Sequence, residues 1–376
     1  MRHDLVLEDT TLRDGEQAPG IAFSKEQKLA ILDCLIDAGV QWVEPGIPAM
    51  GGEELDTLRE MLERRSEVRL VAWNRGVRDD VEFSIDLGFE AVHIGLPTSN
   101  VHLDASVGKS RDWLLQTASD LVRYAKDRGV FVSISAEDIG RADLAFLQAY
   151  AVAVTEAGAD RLRLSDTIGM LGPEEYARRV EAVGHVTRID LQCHCHNDFG
   201  LGVANTLAGL RAGARYFHVC VNGMGERAGM PDLMQTSLAL KHLYGRDLGL
   251  NTERFKALAE RVASATGQPI PKWQPVVGDN VFAHESGIHV NGMLKDATAF
   301  EPIAPESVGQ MRRYVIGKHS GRALLKQILD ARGIAVDEAA LADSLIKVRA
   351  LAIQQHGEVS PDQFVALYQS AGSAVA

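Results

Sequence analysis

Cysteine is scarce in this chain, and long apolar runs and a surplus of basic residues are missing. The 376 residues include four cysteines, Cys34, Cys193, Cys195 and Cys220, too few and too unevenly placed for a disulfide framework. No apolar stretch approaches the roughly 20 residues that a membrane-spanning helix needs. The N-terminus, MRHDLVLEDT, lacks a basic segment followed by an apolar run, so no secretory leader is expected. A reducing, cytoplasmic compartment is the expectation. The formal net charge of −12 argues against a nucleic-acid or anionic-membrane partner, while leaving room for a local basic pocket.

What is present is alternation. Short runs rich in Val, Ile and Leu occur at 4–9, 41–45, 68–73, 91–96, 130–136, 160–166, 189–196 and 215–221, with amphipathic segments such as 25–39 and 142–158 between them. Several of these segments end in Gly, as a helix C-terminus should. Eight strand–helix units by about residue 246 match a (β/α)8 barrel, whose usual size is about 250 residues. An open doubly wound sheet is the rival. Polar, chemically loaded segments follow the first, fifth, sixth, seventh and eighth strands, which favours a closed ring with one mouth. The predicted organisation is α/β: a TIM barrel over 1–250, then a mostly helical accessory region over 251–376 that contributes to dimerisation and to the active site.

QCHCHND (192–198) closes the seventh strand. Side chains alternate across a strand, so His194 and His196 share one face and Cys193 and Cys195 the other. The His pair can reach an ion from the barrel mouth, and the Cys pair suits packing against helices. A third ligand must come from elsewhere, and a carboxylate is expected. DTTLRDGEQAPG (9–20) follows the first strand, with Ser24 as a candidate N-cap for the next helix. Asp14 can complete a His/His/carboxylate site, and Arg13 can stabilise charge on a substrate oxygen. GMGERAGMPDL (223–233) is Gly-rich and opens a helix, with Pro231 expected in its first turn. It is either a phosphate cradle or a tight loop that needs Gly for its backbone, and Asp232 at the helix start would repel an anion.

These stretches, with EDIGRAD, LSDTIGM, VNGMGERAG, FAHESGIHVNG and VIGKHSGR, resemble the Claisen-condensing acyltransferases of the isopropylmalate and homocitrate synthase family. The resemblance covers nearly the whole chain. It implies a (β/α)8 barrel, a divalent cation (Mg, Mn, Zn or Fe), and condensation of acetyl-CoA with a 2-oxo acid followed by thioester hydrolysis. It assigns Asp14, His194 and His196 as metal ligands, with Asn222 a further ligand or neighbour. It gives Arg13 the ketone and the alkoxide formed from it, Thr167 the substrate carboxylate, and Gln17 the positioning of substrate. Glu137 joins the acid–base machinery, as does His289, which in this family reaches the mouth from a partner subunit of a homodimer.

Two departures bear on substrate. Asn74 stands where lysine-pathway homocitrate synthases often have a substrate-facing His, and Ser133 where they carry an Arg suited to a distal carboxylate. The nitrogenase-associated homocitrate synthases lack that Arg pattern too, and they share the AW-x-R, FAHESGIHV and IGKHSGR stretches. A third departure is Met230, where Asn is common. Isopropylmalate and citramalate synthases usually carry a further C-terminal regulatory domain, and with about 125 residues after the barrel a short, unregulated form is the expectation. The expected product is (R)-homocitrate from 2-oxoglutarate, in a nitrogen-fixation context. Ser133, Asn74, Arg75 and His93 are the candidates for its distal carboxylate. The alternatives are the same reaction on 2-oxoisovalerate or pyruvate, a non-haem iron oxygenase, and a 3-hydroxyacyl-CoA lyase. The lyases carry a Cys in the loop near the eighth strand, where this chain has NGMGERAG.

Overall fold

The computed structural model describes residues 1–372. Eight parallel strands close into a barrel: β1 (Val6–Asp9), β2 (Trp42–Val43), β3 (Arg69–Arg75), β4 (Ala91–Gly95), β5 (Phe131–Glu137), β6 (Arg161–Asp166), β7 (Asp190–Cys195) and β8 (Tyr216–Val219). Closure is made by β1 lying beside β8, with Val6 opposite Tyr216 and Asp9 opposite Val219. The open-sheet rival is thereby excluded. Helices follow the strands where the amphipathic segments stand. The helix Lys25–Asp37 begins with a capping box in which the Ser24 hydroxyl accepts from the Gln27 N–H and the Gln27 side chain accepts from the Ser24 N–H.

A barrel of this kind usually fills its interior with branched apolar side chains. Here the interior is ionic. Glu8, Glu44, His93, Ser133, Arg161, Arg163, Gln192 and His218 are all buried there. Arg161 binds the Glu8 carboxylate, and its guanidinium stacks 4.8 Å from the centre of the Tyr216 ring and 5.6 Å from that of Trp42. Arg163 donates to Glu44 at 2.7 Å and to Gln192 at 2.8 Å. Burial alone would raise the two glutamates' pKa values, but the neighbouring arginines more than offset it and hold both carboxylates below their ordinary range. Buried charges persist when they are paired and hydrogen-bonded in this way.

The chain divides into compact units at Ile270/Pro271, so the helix Phe255–Thr266 falls within the barrel unit, beyond the sequence-predicted edge at 250. The second unit contains a two-stranded parallel sheet (Ala283–His284 with Arg313–Tyr314) and the helices Gly287–Met293, Arg322–Ala331, Glu338–Gln354 and Pro361–Gly372. Its core is built from Leu324, Leu325, Leu329, Leu341, Val348 and Phe364. Among the described residues no helix is long and apolar enough to cross a membrane.

Candidate active site

The C-terminal ends of the strands surround a cavity of about 200 Å³ lined by residues that include Arg13, Asp14, Gln17, Trp73, His93, Glu137, Arg163, Thr167, His194 and His196. Strand alternation sorts QCHCHND as expected. Cys193 and Cys195 are fully buried, and a Cβ on Gly209 would lie only 2.5 Å from the Cys193 sulfur, so the helix Gly202–Arg211 packs directly on that face. His194 and His196 face the mouth, their Nε2 atoms 3.3 Å apart. Asp14 Oδ2 lies 3.3 Å from His194 Nε2.

These residues fit a divalent cation. One ligand atom from each of Asp14, His194 and His196 lies within 4.8 Å of the others. Asp14 Oδ1 is buried without a hydrogen-bond partner. Burial first, then neighbouring positive charge, lowers the His194 pKa, and burial does the same for His196, which favours the neutral imidazoles that ligate metals. A chain of hydrogen bonds fixes the His194 tautomer. The ionised Glu8 carboxylate only accepts, so His218 Nε2 donates to Glu8 Oε1 at 2.8 Å. Neutral His218 therefore accepts at Nδ1 from His194 Nδ1, also at 2.8 Å. That leaves the His194 Nε2 lone pair directed at Asp14 and His196. Such supporting hydrogen bonds tune metal affinity by about 10–100-fold. Glu8→Gln is accordingly expected to weaken zinc or manganese binding by about that factor, as read by isothermal titration against the wild type; unchanged affinity would show that the chain of bonds has no such role. Glu8, Glu44 and His218 also form a compact set of potential ligands, but Arg161, Arg163 and Arg13 already neutralise its carboxylates.

Arg13 is almost fully buried. It pairs with Glu44 and with Asp14 Oδ2 at 3.1 Å, and its guanidinium lies 5.5 Å from the centre of the Trp73 ring. Gln17 Oε1 sits 3.4 Å from Arg13 Nη1. Thr167 Oγ1 accepts from the Asp138 N–H at 2.8 Å, which leaves its hydroxyl proton to donate into the cavity. Glu137 lies across the mouth with its pKa raised, chiefly by burial and partly offset by Arg13 and Arg163.

The HMGL-like family profile matches residues 4–262, and the "Homocitrate synthase post-HMGL domain-like" profile matches residues 276–356. A 2-phosphonomethylmalate synthase from Streptomyces rubellomurinus is 62% identical over 373 residues, covering 99% of this chain and 100% of the relative. Homocitrate synthase 1 from a Nostoc species is 40% identical over 96% of each chain. The crystal structure of hydroxymethylglutaryl-CoA lyase from Pseudomonas aeruginosa shares the fold, with a TM-score of 0.64 at 20% identity, over 72% of this chain and 95% of that one. The chain belongs to the HMGL-like family. Within it, the chain is an enzyme of the acetyl-CoA-dependent condensing synthases, which depend on a metal.

In this HMGL-like chain the other residues singled out from sequence stand in varied surroundings. Asn222 follows β8 in a left-handed conformation (φ 59°), its amide donates to the Ala259 carbonyl at 2.9 Å, and it is not among the residues lining the cavity. Its Oδ1 is left without a partner. Asn74 turns away from the cavity, donating to the Ala72 and His93 carbonyls and accepting from Ser84. Arg75 is exposed and pairs with Asp80 at 2.6 Å. Ser133 is buried between His93 and Arg161. Of the four candidates for a distal anionic group, only His93 lines the cavity. Pro231 precedes the helix Leu233–Tyr244, whose N-cap is Asp232, accepting from the Gln235 N–H at 2.8 Å. The loop glycines serve backbone geometry: a Cβ on Gly229 would meet the Gly223 carbonyl oxygen at 1.9 Å. His289 belongs to the second unit, where its ring stacks on Phe300 with centroids 4.1 Å apart. Arg163 was not singled out from sequence. The available signal was Arg-x-Arg within a strand expected to be buried on both faces.

Proposed function

We propose that the chain condenses acetyl-CoA with a short 2-oxo acid bearing an anionic end group, and that this acid is 3-phosphonopyruvate. The observation that carries the reaction class is one cavity holding the Asp14/His194/His196 triad, Arg13 and Glu137 together. A bound divalent cation would supply Lewis-acid polarisation and a template for the 2-oxo acid. Glu137 takes a methyl proton from the acetyl thioester, and the carbon so activated attacks the keto carbon. The electron pair of the carbonyl moves to its oxygen, which Arg13 stabilises before it is protonated. Water then cleaves the thioester, releasing CoA as the thiol. Thr167 holds the substrate carboxylate, and Gln17 helps position the substrate. His289, supplied by a second copy of the chain in a homodimer, is the proposed second acid–base group.

The substrate reading draws on the relative that is 62% identical. Removing the two-carbon unit that acetyl-CoA contributes from 2-phosphonomethylmalate leaves 3-phosphonopyruvate. Arg13, Arg163 and Arg227 line the cavity beside Asp14, Glu137 and Glu226, and their guanidiniums offer hydrogen-bond donors suited to an oxygen-rich substrate. The match of residues 276–356 to the domain named for homocitrate synthase favours a second reading, 2-oxoglutarate giving homocitrate.

The deciding assay follows CoA thiol release from acetyl-CoA with 3-phosphonopyruvate, 2-oxoglutarate, 2-oxoisovalerate or pyruvate, with and without chelator. Chelator-sensitive release with the highest kcat/KM for 3-phosphonopyruvate is expected. A higher value for 2-oxoglutarate would assign homocitrate formation instead. Absence of release with every acid, or oxygen uptake with 2-oxoglutarate in the absence of acetyl-CoA, would overturn the condensation reading.

A further inference from the structure

We infer that Asp138 is a positioning residue for this reaction: held in a left-handed conformation, it fixes the Thr167 hydroxyl as a donor aimed into the cavity. The inference rests on the condensation reading above for the carboxylate that Thr167 holds, while the bond between Asp138 and Thr167 is tested without turnover.

Among the described residues, five that are not glycine have left-handed backbones: Asp138, Asn222, Arg227, Val276 and His356. Such residues are uncommon, and they cluster at functional sites. Two of the five bond to one residue, Thr167. Asp138 (φ 57°) donates its N–H to Thr167 Oγ1 at 2.8 Å. Arg227 (φ 55°) donates from Nη2 to the Thr167 carbonyl, also at 2.8 Å. Thr167 is thereby gripped at its side chain and at its main chain. Its hydroxyl accepts from Asp138, so the hydroxyl proton is left to donate. Thr167 lines the cavity with His194 and His196, and Asp138 is not among the lining residues. Asp138 therefore acts on substrate through Thr167.

Neighbours on both sides hold Asp138 in this conformation. Glu137 and Ser165 stand opposite each other at the ends of β5 and β6, and the Ile139 N–H donates to the Ser165 carbonyl at 3.0 Å. The Asp138 carboxylate is buried and pairs with Arg141 Nη2 at 2.7 Å. Asp also tolerates the left-handed region better than most residues, because its short polar side chain can bond locally. On the far side of Thr167, Arg227 forks onto Asp198 at 2.8 and 2.9 Å. Asp198 packs closely on the turn after Thr167, where a Cβ on Gly169 would lie 2.3 Å from its Oδ2. Segments following β5, β7 and β8 thus converge on the residue that follows β6.

The test uses the full-length protein in two arms. In the first, NMR hydrogen exchange of the residue 138 amide reports the bond without turnover. Protection is expected in the wild type, Thr167→Ser and Asp138→Asn, and its loss in Thr167→Val and Asp138→Ala. Rapid exchange in the wild type, or undiminished protection in Thr167→Val, would overturn the inference. In the second arm, Asp138→Ala should raise KM for the 2-oxo acid about 10–100-fold, the usual contribution of one hydrogen bond to a charged group. Both kcat and the KM for acetyl-CoA should change far less, as for an interaction made equally in ground and transition states. The rise should be the same on 3-phosphonopyruvate and pyruvate, which share the carboxylate. Asp138→Asn should recover most of it. Thr167→Val should match Asp138→Ala, and the double variant should be no worse than either. Losses that multiply in the double variant, or an unchanged KM for 2-oxo acids in Asp138→Ala, would overturn the positioning role. Failure of the wild type to release CoA with any 2-oxo acid would instead overturn the condensation reading, leaving the exchange arm to decide the bond.

Discussion

Asp14→Asn and His194→Ala are each expected to abolish CoA release and to lose tightly bound divalent metal while the barrel stays folded. Asp14 brings the one carboxylate to a set otherwise made of two neutral imidazoles, and it lies 3.3 Å from His194 Nε2. Lewis-acid polarisation of the ketone contributes several kcal/mol to the transition state, so its loss corresponds to about 10³-fold or more in rate. The fold should survive because Arg13, the structural charge that Asp14 touches, keeps Glu44 as its partner. Glu8 and Glu44 are held by Arg161, Arg163 and Arg13, and none of these bonds passes through His194. Three measurements separate the outcomes: metal content after gel filtration, circular dichroism, and thiol release. Full turnover in either variant would refute the metal assignment. Lost turnover with full metal content would move Asp14 from ligand to another role.

Much of this site was legible because its parts repeat simple periods. Two-residue alternation separates the His pair from the Cys pair in QCHCHND, and packing of Cys193 against Gly209 and Tyr176 bears that out. Strand–helix alternation yields the barrel, and the loaded strand ends locate its mouth. Other features were hidden because they depend on what meets across the ring. Arg161 and Arg163 read as residues of a short strand, and nothing near them in sequence shows that Glu8 and Glu44 wait some 120 to 150 positions away. Asn74 and Ser133 are sequence-based candidates for holding the substrate's distal group. Here one turns to Ser84 and the other to Arg161. A motif fixes the position of a residue along a strand, but the side chain's partner is settled by neighbours from other strands.

Glu137→Gln is the companion experiment, with an expected loss of about 10²–10⁴ in kcat/KM, the usual contribution of a positioned general base. As the base, Glu137 must be ionised. Burial is the largest influence on it and raises its pKa above the ordinary 4.5, with Arg13 and Arg163 pulling partly back. A bound cation would pull in the same direction as the two arginines. In metal-free protein, the ¹³C shift of the Glu137 carboxyl should therefore titrate above 4.5 and move down when zinc or manganese is added. Wild-type kcat/KM should fall as pH falls through this group. Glu137→Asp should keep that acid limb and Glu137→Gln should lose it. The sign for stability is opposite to the sign for rate. A carboxyl with a raised folded pKa binds more protons folded than unfolded, so metal-free protein loses stability as pH climbs from 4.5 through the folded value. Glu137→Gln should then be more stable than the wild type to urea above that window and no different below it. A variant that is slower, lacks the acid limb and gains stability only at higher pH would identify Glu137 as a base kept at the mouth at the expense of the fold. An acid limb that persists unchanged in Glu137→Gln would assign the base to another residue.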